Sequence, residues 1–374
     1  MKGNHLISKR SAGLIGLTLA GVLALSACAA NETPAASDGD SDSTASASTL
    51  SGTISGSGSS AQGSAQEAWQ AAFQTANPEV TINYDPAGSG AGRTAFIAGG
   101  VAWAGSDSAL SDDELAGEFA ACAPDSKAID LPTYISPIAV IFNVEGVDEL
   151  NLDPTTLASI FNGTITTWND PAIAALNEGV TLPSATITAV HRSDDSGTTK
   201  NFTDYLGKTA SDIWTEKAAD AFPAAFGGEG AQGTSGVVDA VTNGSNAIGY
   251  ADASKAGSLG TAKIKVGDEF VGYTAEAAAA VVNDSPLVEG RDANDLAIAL
   301  DRKTTDPTHY PLVLVSYSIV CQTYADADAA ALVKAYIGYI TSADGQSAAA
   351  DAAGSAPLSD DLSAKVAAAL ETVS

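Results

Sequence analysis

The chain has 374 residues, 45% of them hydrophobic and only 6% aromatic, with 45 acidic against 17 basic residues and a formal charge of −28. That length is enough for two domains, or one large one, with a real core, and that charge leaves no basic face for a phosphodiester backbone, so a nucleic-acid partner is disfavoured. Three Cys and three His, none in C-x-x-C or H-x-x-x-H spacing, argue against a structural zinc or a zincin-type site, and no metal is expected.

Lys2, Lys9 and Arg10 form a basic n-region, residues 14–25 an apolar h-region, and Leu25-Ser26-Ala27-Cys28 closes it with small residues before a cysteine. The run is too short to cross a membrane comfortably, and its last four residues resemble a bacterial lipobox. Residues 1–27 are therefore expected to be a lipoprotein signal peptide, with Cys28 left as a lipid-bearing N-terminus outside the cytoplasm. An ordinary secretory signal cleaved near the same place is the alternative. Residues 28–50, from Asn31-Glu32-Thr33-Pro34 to Ser46-Ala47-Ser48-Thr49, hold almost no large apolar side chain that could offset ordering entropy, and are expected to be a flexible tether. In an oxidising compartment the two cysteines that remain, Cys122 and Cys321, are expected to pair. The alternative is two buried, unpaired thiols.

Past the tether, strands alternate with helices. Thr53-Ile54 ends a first strand, and Ala65, Ala68, Trp69, Ala72 and Phe73 recur at helical spacing until Asn77-Pro78 stops them. Val80, Ile82 and Tyr84 alternate as a second strand, a glycine-rich turn follows at 88–92, and 101–104 is a third short apolar run. This βαβαβ pattern predicts an α/β sheet. Residues 135–144 read as a buried strand. Asp153-Pro154 supplies an N-cap and first-turn proline for a helix through Leu157, Ile160 and Phe161, closed by Gly163. Residues 187–192 form a strand running into the turn 193–198, beyond which Phe202, Tyr205 and Leu206 share a helical face. Val237, Val238 and Val241 mark a helix before Asn243-Gly244, and 247–250 is strand-like. Residues 312–320 are strongly β, and Leu332, Val333, Tyr336, Ile337 and Ile340 form a long helical stripe. These stripes read as core, and no repeat period is present.

Chemistry is expected where a strand ends and a helix begins, because unpaired backbone N–H groups and the positive end of the helix dipole face any anion there. Three such loops are rich in Gly and hydroxyls: 56–61, 88–92 and 195–199. The first also fits the dinucleotide fingerprint G-x-G-x-x-A, with Asp85 at the end of the next strand, so a dinucleotide-dependent oxidoreductase is the rival from the enzyme class. Against it, an exported, lipid-tethered enzyme would have little free cofactor. No G-x-S-x-G elbow occurs, and the Gly-Lys-Thr at 207–209 has Phe202 where a P-loop needs glycine.

Gly56-Ser57-Gly58-Ser59-Ser60, Asn83-Tyr84-Asp85-Pro86-Ala87-Gly88-Ser89-Gly90, the run from Gly105-Ser106-Asp107 to Ser111-Asp112, Thr167-Trp168-Asn169-Asp170-Pro171-Ala172-Ile173, Arg192-Ser193-Asp194-Asp195-Ser196-Gly197-Thr198 and Asn246-Ala247-Ile248-Gly249-Tyr250 follow one another in this order. Together they resemble the successive motifs of the phosphate-binding lipoprotein of the high-affinity phosphate ABC importer, the PstS family. The resemblance runs from about Gly52 to the C-terminus. It implies an α/β, two-lobed periplasmic-binding-protein fold with a ligand cleft between the lobes, lobe I being 51–134 with 312–374 and lobe II 135–311. It also implies an extracytoplasmic receptor, not an enzyme and without a cofactor, that is monomeric and hands inorganic phosphate to membrane permease and ATPase subunits. The matching phosphate contacts are the Ser60 hydroxyl, the Ser60 and Ala61 amides, Ser89, Asp107, Arg192, Ser196, the Gly197 amide and Thr198, with Asp194 bracing the Arg192 guanidinium. The chain departs from the family at Ser60-Ala61, where a threonine and a bulky aromatic are usual.

Oriented amides and hydroxyls can meet most of a dianion's charge without a crowd of cations, which fits a single arginine in an acidic chain. Arg192 could otherwise be a surface partner of Asp194 or Asp195, and Asp107 a helix N-cap. A receptor for sulfate or another tetrahedral oxyanion is the second rival. Asp107 separates the two: an acceptor-only carboxylate is satisfied by an oxyanion that still carries a proton and repels one that does not.

Overall fold

The structure, a computed structural model, describes residues 50–374. The expected signal peptide at 1–27, the lipidation site Cys28 and all but the last residue of the expected tether lie outside the described residues. The chain opens with β1 (Gly52–Gly58), α1 (Gly63–Ala76), β2 (Val80–Asp85), α2 (Ser89–Ile97) and β3 (Trp103–Ser106), with β1 pairing in parallel to both β2 and β3. A short α3 (Asp112–Leu115) leads to the long β4 (Ala128–Asn143). Then come β5 (Asn151–Leu152), α4 (Pro154–Phe161), α5 (Pro171–Leu176), β6 (Thr188–Arg192), α6 (Gly197–Thr209), β7 (Glu229–Ala231), α7 (Gly233–Asn243) and β8 (Ala247–Asp252). Small strands β9 (Gly260–Thr261), β10 (Lys263–Val266) and β11 (Glu269–Val271) precede α8 (Ala275–Asp284). The chain returns through β12 (Val313–Cys321) and closes with α9 (Ala327–Ile340), α10 (Ala343–Ala353) and α11 (Asp360–Glu371).

The main sheet runs β2-β1-β3-β12-β4-β8-β6-β7, with β9 also on β4. Up to Pro137 β4 lies antiparallel to β12, and from Ile138 onward it lies antiparallel to β8. One strand thus joins two halves: the parallel β2-β1-β3 unit with β12 on one side, and β8-β6-β7 on the other. The strand expected at 135–144 in fact begins at Ala128, and every residue up to Phe142 is buried. Asp130, Pro132 and Pro137 masked its first part, since proline cannot donate to a ladder. Pro137 sits where the partner changes. Pro132 sits beside a bulge, where Ser316 faces Tyr134 but Tyr317 faces Pro132, leaving Thr133 unmatched.

Two further corrections concern the glycines. The first strand does not stop at Ile54 but runs to Gly58, because a side chain at Gly56 would overlap the Trp103 ring and Gly58, at φ 145°, lies against the Gly105 carbonyl. The stretch 88–92 is not a turn: α2 starts at Ser89. A side chain on Gly92 would run into the Ser57 carbonyl, so bare backbone is what lets α2 lie down on β1. The apolar stripes do form core: the Phe73 and Trp103 rings stand edge-on to Tyr336, 5.2 and 5.4 Å away. Cys122 and Cys321 form a disulfide with a Cα separation of 5.4 Å, tying the end of β12 to the segment before β4.

Candidate functional site

The C-terminal ends of β1, β3 and β6 meet the first turns of α2, α6 and α7. Gly88 caps α2 at φ 107°, a conformation natural only to glycine. Ser196 caps α6, its hydroxyl accepting the Thr199 N–H at 3.2 Å, while its own N–H donates to the Asp220 carbonyl. At α7 the first amides are taken by side chains from elsewhere: Gly233 N–H donates to Asp194 at 3.0 Å and Thr234 N–H to Ser60 Oγ at 3.1 Å. Three helix N-termini gathered in one place concentrate positive dipole ends without a formal charge.

Asp107 follows β3 directly and is 3% exposed. It caps no helix; Ser111 caps α3. Its N–H donates to Ser89 Oγ at 3.1 Å and its carbonyl accepts Asn201 Nδ2 at 2.6 Å. Its carboxylate accepts from the hydroxyls of Ser59, Ser316 (2.5 Å) and Thr198 (3.0 Å). Burial pushes the carboxyl above its ordinary range, and the Ser316, Ser59 and Thr198 hydroxyls and the Arg192 guanidinium work against that rise.

Arg192, at the end of β6, is 3% exposed and therefore not a surface residue. Its Nε and Nη2 donate to the two oxygens of Asp194 at 2.7 and 2.5 Å. That side of the fork is spent on Asp194, and the Nη1 end is what remains for a ligand. Burial disfavours the charged form of Asp194, but the bonds and charge of Arg192, with the Gly233 amide, outweigh it and hold the carboxyl below the usual range. Tyr250 fixes the strand end, accepting Arg192 N–H at 3.3 Å and bonding the Thr199 hydroxyl at 2.7 Å.

Ser60 and Ala61 stand differently from the other motif residues. Ser59 N–H still pairs with the Gly105 carbonyl, so the side-chain alternation of β1 continues past its end: Ser59 points at Asp107 and Ser60 away, to Thr234 Oγ1 at 3.0 Å. The Ala61 amide donates to Ser59 Oγ at 3.1 Å. The rest of the motif residues are drawn together. A side chain at Gly197 would meet Ser89 Oγ at 2.6 Å and Asp107 Cβ at 2.8 Å, and one at Gly88 would meet Asp194 Oδ2 at 2.6 Å. Asp85, the ribose acid of a dinucleotide reading, is exposed.

Sequence reading missed Ser59, Ser316, Thr234, Asn201 and the Arg93–Asp220 pair. Arg93 on α2 reaches across the halves to Asp220 at 2.7 Å while Glu114 holds its Nε at 2.8 Å. A signal did exist for Ser316: it and Ser318 are hydroxyls in an otherwise largely apolar strand that is buried throughout.

A family model described as the PBP superfamily domain matches residues 43–344. Phosphate-binding protein PstS2 of Mycobacterium bovis is 36% identical over 371 residues, covering 98% of this chain and 99% of that protein. Phosphate-binding protein PstS 3 of Mycobacterium leprae is 39% identical over 266 residues, covering 70% and 71%. Among solved structures, a high-affinity periplasmic phosphate-binding protein (PfluDING) bound with phosphate matches with TM-score 0.67 and 23% identity over 85% of this chain and 93% of that one. A phosphate-binding protein from Stenotrophomonas maltophilia matches with TM-score 0.60 and 18% identity over 85% and 94%. At these identities the two structures speak to the fold alone, which is the two-lobed periplasmic-binding-protein architecture.

Proposed function

The chain belongs to the PstS family of phosphate-binding proteins, within the PBP superfamily, and from that premise we propose that it is an extracytoplasmic receptor. It binds inorganic phosphate between its two halves and hands it to the permease and ATPase subunits of an ABC importer. The observation that carries this is a buried carboxylate, Asp107, set opposite one buried arginine, Arg192, among three helix N-termini. Such a site has donors for most of an oxyanion's oxygens and one acceptor for its proton. The family is one of receptors, not enzymes.

In the assignment we favour, Ser60, Ser89, Arg192, Ser196, Gly197 and Thr198 donate to the anion, Thr198 through its first-turn backbone N–H because its hydroxyl is given to Asp107 Oδ2, and Asp107 accepts from the anion, with Asp194 setting the pitch of Arg192. The Ala61 amide joins them when its bond to Ser59 opens. Lobe I comprises 51–134 and 312–374 and lobe II 135–311; the change of partner in β4 between Pro137 and Ile138 supports that division. The segment around Arg291 leans back across it, with Leu296 N–H on the Asp130 carbonyl. Cys28 carries the lipid that keeps the receptor at the membrane. The mature chain acts as a monomer, a reading supported by Leu287 being the sole large hydrophobic exposed among the described residues.

Calorimetric titration of the mature chain with phosphate, sulfate and a dinucleotide at neutral pH tests the function: phosphate should bind tightly and the other two weakly or not at all. Equal binding of sulfate would make this a general oxyanion receptor, and dinucleotide binding would revive the oxidoreductase. Cys28→Ala should release the protein from the membrane fraction, and undiminished retention there would overturn the lipid anchor.

A further inference from the structure

The three hydroxyls that hold Asp107 divide its oxygens unevenly. Ser59, from the end of β1, and Ser316, from the middle of β12, both donate to Oδ1, whereas Thr198 alone donates to Oδ2, at 3.0 Å. An ionised carboxylate accepts about four hydrogen bonds, roughly two at each oxygen. Oδ1 is therefore filled by the protein, and Oδ2 has capacity for one bond more. A carboxylate has no hydrogen to give, so that bond forms only with a ligand that brings its own proton.

The fold places Ser316 for this contact. The bulge that leaves Thr133 unmatched falls at Ser316, and the Thr133 hydroxyl donates to the Ser316 carbonyl at 3.3 Å. Bulges beside binding sites re-aim side chains. Ser59 and Ser316 are both fully buried, and on the assignment above neither touches the anion. We propose that Ser316, together with Ser59, is a specificity-determining positioning residue: by saturating Oδ1 of Asp107 it leaves Oδ2 alone to sense whether an oxyanion carries a proton, and so sets the pH below which a fully ionised oxyanion is admitted. The inference rests on the phosphate-receptor reading and deepens it.

The charged and titratable groups acting on Asp107 are Arg192 from β6, which favours the carboxylate, Tyr84 from β2, and Asp252 at the end of β8. Deleting the Ser316 hydroxyl removes a bond made to the ionised form, so Asp107 takes up its proton at a higher pH. Once protonated it donates to sulfate instead of repelling it.

Sulfate stays fully ionised from mildly acid to mildly alkaline pH, so its affinity profile reports the protein alone. In the wild-type chain, sulfate affinity should rise as pH falls through the titration of Asp107. In Ser316→Ala the same rise should be displaced upward by about one pH unit, roughly tenfold tighter sulfate binding at a fixed pH on the sloping limb. Ser59→Ala removes the other donor to the same oxygen from a different strand. It should displace the profile in the same direction, and it carries the test if Ser316→Ala does not fold. Asp252 has a carboxyl that burial lifts to about 6, so the comparison is repeated in an Asp252→Asn background, where the displacement should persist. Profiles with unmoved midpoints, or a displacement lost in that background, overturn the inference, because loss of packing alone weakens binding without moving a midpoint. A wild-type chain that binds sulfate as tightly as phosphate at neutral pH overturns instead the reading of Asp107 beneath it, and that outcome is visible in the wild-type arm by itself.

Discussion

Arg192 is held at Nε and Nη2 by Asp194, and Asp194 in turn by the Gly233 amide of α7. A guanidinium fixed in this way loses little freedom when a ligand arrives. Arg192→Ala should weaken phosphate binding by about 2–3 kcal/mol, on the order of a hundredfold, part of it because Asp194 is then left as an unpaired carboxylate beside the anion. An affinity within about threefold of wild type, under ~0.7 kcal/mol, would show that the arginine only braces the fold. Arg192, Asp194, Asp107 and Thr198 come from the run of motifs that resembles the PstS family, and the structure brings Arg192 onto Asp194 and Thr198 onto Asp107. Ser59 was not legible in the sequence, since the choice between it and Ser60 depends on which way one residue beyond a strand end faces, and that is decided by the Ser59–Gly105 backbone bond. For Ser316 the sequence offers a hydroxyl in a strand buried throughout, but not its partner, because the bulge that turns it toward a carboxylate 209 positions away is a property of the β4–β12 pairing.

Elements were easiest to read where one period ran unbroken. The stripes of α1 and α9 and the Asp153-Pro154 start of α4 came through because apolar spacing and capping chemistry agreed. Helix α10 gives little to read, because it buries only Gly345, Gln346, Ala349 and Ala353, whereas α11 does carry a stripe, Leu362, Val366, Ala369 and Leu370 behind the Ser359 cap, that the sequence reading does not use. Glycine clusters suggest turns in a sequence, whereas Gly56, Gly58 and Gly92 serve close approach of backbone and rings. One element-level contact couples the halves directly. Arg93 on α2 pairs with Asp220, whose backbone carbonyl holds the Ser196 amide at the cap of α6. The pair is buried on the Arg93 side, and opening the cleft would separate it. Asp220→Asn should therefore speed phosphate release by roughly five- to tenfold, about 1–1.4 kcal/mol for a partly buried ion pair, with little change in the association rate. Glu114→Gln, which loosens Arg93 within its own half, should change release less. Stopped-flow measurement with a fluorescent phosphate competitor separates the rates, and an unchanged release rate in Asp220→Asn would mean that the pair does not hold the halves together.

At the scale of the whole molecule, two long-range features set stability and selectivity. The Cys122–Cys321 bridge spans 199 positions, and in the chain-entropy model a loop of that size is worth about 5 kcal/mol. Replacing both cysteines by serine should lower the thermal midpoint by roughly 5–10 °C, read by calorimetry under non-reducing conditions. A midpoint that does not move would mean that the rest of the fold already restricts the unfolded chain as much as the bridge does. A net charge of −28 repels anions at long range, so recognition has to come from local groups: the helix dipoles, the buried Arg192 and the Asp107 acceptor. Selectivity then rests on Asp107, and the decisive measurement is titration of wild type and Asp107→Asn with both phosphate and sulfate at neutral pH. Wild type should favour phosphate by roughly 10⁴ or more, because sulfate sets two acceptors face to face with no hydrogen between them. In Asp107→Asn the amide can donate, so the gap should narrow, chiefly through tighter sulfate binding. A wild-type chain that binds the two anions alike, or an Asn variant that keeps the full preference, would contradict the role given to Asp107.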